Sequence, residues 1–155
     1  MLVLRDSPTR PRARRLLASS RDSHVDVTDT RGTADDPSVM GGRLRVRTAA
    51  GNGFDLDVIL PASAWRTLGK PGAPRGYRYV TDGPIRSVTV KSGGVLRIVG
   101  SGAGLGLSLG SDPSPVVVEI TIGLRRYCMQ FGGDTTFKPG RRYVSHRAPA
   151  PAQCN

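Results

Sequence analysis

The sequence predicts an all-β fold, a single antiparallel sandwich or barrel-like variant of about eight to ten short strands. Three observations predict it. From Gly41 onward apolar and polar residues alternate with period two. Clusters of Gly, Pro, Asp and Ser interrupt that alternation about every ten residues. No 3.6-residue apolar period is sustained anywhere. A chain of 155 residues fits one domain. Aromatic residues make up only 5%, so the core must be built mainly from Val, Leu and Ile.

Residues 1–40 read as a disordered, Arg-rich arm. They carry Arg10, Arg12, Arg14, Arg15 and Arg21 with no sustained apolar period, and Leu16-Leu17 suggests at most a helical turn. Residues 41–155 read as the β domain. Leu44 and Val46 alternate with Arg43, Arg45 and Arg47, and Phe54, Leu56, Val58 and Leu60 follow a turn over Thr48 to Gly53. A hairpin centred on Gly51 sets Val46 against Leu56 and Leu44 against Val58. The same register sets Arg47 against Asp55 and Arg45 against Asp57, so it satisfies both faces at once. Ala62 to Arg66 reads as one helical turn, and Tyr77 and Tyr79 share a strand face. Val88 and Val90 lead through Ser92-Gly93-Gly94 into Val95 to Val99. Strands are also expected over Leu105 to Leu109, Val116 to Ile122, Tyr127 to Phe131 and Tyr143 to Ser145. The expected core is Leu44, Val46, Phe54, Leu56, Val58, Val88, Val90, Leu96, Ile98, Leu105, Leu107, Val116, Val118, Ile120, Met129 and Phe131.

The net charge is +11, with Lys and Arg together 23 against 12 acids. Such a balance favours anionic partners: acidic glycan, nucleic acid or phospholipid head groups. The arginines are scattered along the sequence, which equally fits a plain solvated surface. No segment is apolar enough to span a membrane as a helix. Arg14-Arg15-Leu16-Leu17 has the start of a twin-arginine signal, but the apolar run stops at Ala18.

The two cysteines are Cys128, in a β segment, and Cys154, in the tail Ala148-Pro149-Ala150-Pro151-Ala152-Gln153-Cys154-Asn155. A tail of that composition buries little, so a Cys128–Cys154 disulfide is expected to pin it, which places the domain in an oxidising compartment. The missing leader is reconciled with that compartment if the chain is the C-terminal piece of a longer protein.

Signals for chemistry are thin. Gly100 to Gly106 follows a strand, but the spacing of a dinucleotide-binding turn fails and no helix follows. Two histidines, His24 and His146, and one glutamate, Glu119, supply no paired acid and base. Asp26, Asp29, Asp35 and Asp36 do not have calcium-loop spacing. No enzyme, metal or cofactor is expected. Trp65, Tyr77 and Tyr79 with Arg66 and Arg78 form a candidate ligand platform, set against the alternative that the rings fill the core and the arginines face water.

Gly76-Tyr77-Arg78-Tyr79, Gly83-Pro84-Ile85, Val88 to Gly93, Gly102 to Leu105, Tyr127-Cys128-Met129-Gln130-Phe131-Gly132-Gly133 and the Ala-Pro-Ala-Pro tail ending in Cys154 together resemble a module. It is an uncharacterised β-rich module at the C-terminus of large secreted or surface-exposed bacterial proteins. The resemblance covers residues 40–155 and implies no enzymatic activity. Members often carry a second cysteine pair where this chain has Ile85 and Val99 or Gly100. The functional expectation is a non-catalytic extracellular or surface β module with a structural or interaction role, whose partners include other domains of a longer surface protein or an acidic polymer. The alternative is an anion-binding module for acidic glycan or nucleic acid, and the second alternative is an enzyme.

Overall fold

A computed structural model of the chain describes residues 1–48, 54–70 and 73–148. It is an all-β sandwich with twelve strands. In chain order they are β1 (Leu2–Arg5), β2 (Arg15–Arg21), β3 (Gly42–Arg47), β4 (Asp55–Leu60), β5 (Trp65–Lys70) and β6 (Ala73–Val80). There follow β7 (Ile85–Lys91), β8 (Val95–Ser101), β9 (Val116–Ile122), β10 (Arg125–Phe131), β11 (Asp134–Lys138) and β12 (Arg142–His146). A single turn of helix, α1 (Pro37–Met40), precedes β3. The large sheet has eight strands in the order β11-β12-β1-β2-β8-β7-β6-β5, and the small sheet has four in the order β10-β9-β3-β4. Every paired strand is antiparallel.

The β3–β4 pair has the register the charges predict: Arg45 opposite Asp57, Arg47 opposite Asp55, Leu44 opposite Val58 and Val46 opposite Leu56. The turn residues 49–53 lie outside the described residues. Of the expected core, all but the half-buried Val58 are buried. Three leucines reach the core by a route other than a strand. Leu105 ends a 3-10 turn over Ala103–Leu105, Gly106 takes a left-handed φ of 59°, and Leu107 and Leu109 follow in irregular chain. Ala62–Ala64 is likewise a 3-10 turn, and Trp65 begins β5.

The disordered arm expected over residues 1–40 is corrected by the structure. β1 and β2 sit inside the large sheet, β1 between β12 and β2, and β2 between β1 and β8. Leu2, Leu4, Leu16 and Ala18 point inward and are at most 1% exposed. Their pattern is too short to read against the arginines around them. Its value comes only from strands β8 and β12, which lie far along the sequence. Each buried leucine contributes about 1.5–3 kcal/mol, enough to offset the ordering of a short strand. Residues 22–36 follow β2 and bury Val25, Val27, Thr30 and Asp36. Thr30 Oγ1 meets the Tyr77 hydroxyl at 2.9 Å. Arg125 ties the same segment to β10 through Asp35 at 2.9 Å, Asp29 at 3.2 Å and the Asp26 carbonyl at 2.6 Å. Gly123, at φ 58°, lets this segment close onto the β9–β10 turn, where a Cβ would stand 2.5 Å from the Asp35 backbone.

Candidate functional site

Strand alternation decides which arginines share a face. In the large sheet the inward positions are apolar, among them Leu4, Leu16, Tyr77, Val88 and Ile98. The outward positions carry the charge. One cross-strand row reads Lys138–Arg142–Arg5–Arg15, each residue directly opposite the next on adjacent strands. Ser101 continues it opposite Arg15, and Arg86, at the β7 bulge, donates from Nε to Ser101 Oγ at 3.0 Å. At the usual strand spacing the four cations span roughly 14 Å. A second row reads Arg66–Arg78–Thr89–Arg97–Ser19. Arg21 and Lys91 stand two positions further along β2 and β7 on the same face. Between the rows runs a strip that includes Val99, Leu17, Val3 and Val144.

Among the described residues, Asp134 at the β11 edge is the one acid in these eight strands. Arg86 pairs with Asp82 in the preceding turn at 3.5 Å. No carboxylate among the described residues pairs with Arg5, Arg15, Arg78, Lys91, Arg97, Lys138 or Arg142. Directly opposed like charges destabilise a sheet, so these rows carry a standing cost.

The outer face of the small sheet is built differently. Its central row reads Asp57–Arg45–Glu119–Cys128. Asp57 accepts from Arg43 Nε at 2.7 Å and from Arg45 Nε at 3.2 Å. Glu119 is only 7% exposed because Arg47 and Arg126 close over it, at 3.3 and 2.8 Å. Hydrogen bonding from Arg43, helped by the Arg43 charge and by Arg45, outweighs the opposing effect of burial and holds the Asp57 carboxyl below the usual range. Burial would raise the Asp36 carboxyl. Hydrogen bonds from Gly32 N, Ser38 Oγ and Ser38 N outweigh burial and hold it low, as befits the cap of α1.

The ligand platform of Trp65, Tyr77, Tyr79, Arg66 and Arg78 does not assemble. The rings are 1%, 0% and 3% exposed and point into the core, where Trp65 and Tyr79 pack with centroids 5.4 Å apart. Arg66 and Arg78 point the other way, because successive residues of a strand alternate faces. Sequence reading missed the rows that replace the platform. The signal lay in the outward positions of β1, β2, β11 and β12, and only the pairing of those strands connects it.

The four aspartates of the segment before β3 are engaged within the chain: Asp29 and Asp35 hold Arg125, Asp36 caps α1, and Asp26 accepts from Thr28 and Ser92. No group of acids, cysteines or histidines suited to a metal ion occurs among the described residues. A cleft of about 440 Å³ beside β10 contains His24, bound to Asp22 at 2.8 Å, and Cys128. No free cysteine occurs among the described residues, and Cys154 lies outside them. Among the described residues, no helix is long and apolar enough to cross a membrane. Comparison with models of known families, with curated proteins and with solved structures finds no significant match.

Proposed function

We propose that this protein is a non-catalytic binding module that holds an acidic polysaccharide across the outer face of its large sheet. One observation carries the reading: the register aligns Lys138, Arg142, Arg5 and Arg15 into one row that no carboxylate among the described residues neutralises. A polyanion would offset the mutual repulsion of that row. The cations are mostly arginine, whose planar fork suits sulfate and carboxylate groups. A polysaccharide is favoured over a single-stranded nucleic acid because the strands present no outward Trp, Tyr or Phe on which bases would stack. Binding of heparin and of duplex DNA, measured across a range of salt concentrations, tests the reading. Heparin is expected to bind more tightly at every salt concentration, with a steep salt slope. Tighter DNA binding would make the partner a nucleic acid, and failure of both polymers to bind, or binding that salt does not weaken, would end the proposal.

A place outside the cell belongs to the same reading and rests on the Cys128–Cys154 pairing expected from the sequence. A Cys128–Cys154 bridge would close a loop of about 26 residues and contribute about 3.5 kcal/mol on chain-entropy grounds. Mass spectrometry of a non-reduced digest decides it. Both cysteines alkylated without reductant, in protein made in an oxidising compartment, would remove the bridge and the argument for that compartment.

A further inference from the structure

Resting on that reading, we infer that the groove over β6, β7 and β8 is a subsite for one sulfate group of the polysaccharide. The groove holds about 460 Å³ and is lined by Arg78, Thr89, Lys91 and Arg97 above an apolar floor that includes Val99 and Leu68. Thr89 lies directly opposite Arg78 on one side and Arg97 on the other. Cross-strand neighbours at this register stand about 4.5–5.5 Å apart at Cβ. Thr89 therefore stands between two arginines in one cross-strand row, and Lys91 stands on the same strand face two residues on. None of these four side chains has a hydrogen bond or ion pair among the described residues, and no acid lines the groove. Their donors remain available to a ligand.

The arrangement selects among anions by shape. A carboxylate is planar and is satisfied by one bidentate fork from one side. A sulfate ester has three free oxygens, and here Arg78, Arg97, Lys91 and the Thr89 hydroxyl line one groove and together carry more donors than a planar carboxylate can use. The row Lys138–Arg142–Arg5–Arg15 differs: its cations stand side by side with no hydroxyl residue between them. The groove therefore discriminates sulfated from merely carboxylated polymer, and the row supplies unselective attraction.

The test compares two probes of equal length, a heparin hexasaccharide and an unsulfated uronic-acid hexasaccharide, by calorimetry at fixed salt. The native protein is expected to prefer the sulfated probe by about tenfold or more. Arg78→Gln with Arg97→Gln should abolish the preference and leave uronic-acid binding nearly unchanged. Arg5→Gln with Arg142→Gln removes the same charge and should weaken both probes alike, with the preference intact. Thr89→Val should weaken only the sulfated probe, by about threefold. All five side chains are outward, so every variant should fold, with a melting temperature equal to the parent's or slightly above it where opposed charges are removed. A preference that survives the groove variants, or that falls equally with the row variants, would overturn the subsite while leaving polyanion binding by the face in place. Binding of neither probe would remove both.

Discussion

The two outer faces of this sandwich use the same residue type to opposite ends. On the small sheet the row Asp57–Arg45–Glu119 alternates in sign, and the neighbouring arginines close over the carboxylates. On the large sheet the row Lys138–Arg142–Arg5–Arg15 repeats one sign across four strands. The net charge of +11 is thus unevenly placed. One face pairs its charge internally, and the other leaves it without carboxylate partners among the described residues. What distinguishes them is the supply of acids: β4 and β9 carry Asp55, Asp57 and Glu119, whereas Asp134 is the one acid among the described residues in the eight strands of the large sheet.

The largest effect concerns the core that holds the two faces apart. Val118 is fully buried in the middle of β9, between β3 and β10. Val118→Asp would bury an unpaired charge at a cost exceeding a typical stability of about 5–15 kcal/mol. No cooperative melting transition is expected, and a transition like the parent's would show the inward face of β9 to be misassigned.

Next in size is the large face. Arg5→Gln, Arg15→Gln and Arg142→Gln together should weaken heparin binding about tenfold, corresponding to about 0.5 kcal/mol for each lost contact. Arg43→Gln, Arg45→Gln and Arg47→Gln together remove the same charge from the small face and should change it less than twofold. Equal losses from the two sets would mean that overall charge, rather than placement, attracts the polymer.

Glu119→Gln should make the small face resemble the large one. The two arginines over Glu119 are nearly half exposed, with side-chain accessibilities of 46% and 44%. After allowance for solvent screening, the loss in stability is about 1 kcal/mol. Heparin affinity should rise slightly, and a fall would contradict the comparison.

Acid should erode the difference without mutation. Asp57 and Asp36 both have folded-state carboxyls below their ordinary values. Their contribution to stability is therefore complete above the unfolded value of about 3.9 and is lost as the pH falls through the lower folded value. Melting temperature should hold steady from about pH 6 to about pH 5 and decline below about pH 4. In Asp36→Asn the part due to the α1 cap should disappear from that decline.

The hairpin β3–β4 was legible because its two strands are separated by one short turn, and because apolar pairing and charge pairing demand the same register. The buried faces of β7, β8, β9 and β10 were legible for a similar reason: each carries several apolar residues at period two. β1 and β2 were not, because Leu2-Val3-Leu4 and Leu16-Leu17-Ala18 are apolar on both faces and too short to show a period. Leu105, Leu107 and Leu109 showed a strand period and are buried, yet the left-handed Gly106 breaks the strand that the period implied.

The sequence by itself determined the all-β class, the aliphatic core and the pairing of charges within the local hairpin, since each depends on alternation within a few residues. It also held every arginine of the large face, but as scattered positions. Only the tertiary structure made them a row, by setting β1 between β12 and β2 and joining Arg142, Arg5 and Arg15 across more than a hundred residues of chain. Strand pairing over that distance depends on burial of the opposite face, which no local pattern in the first forty residues expresses.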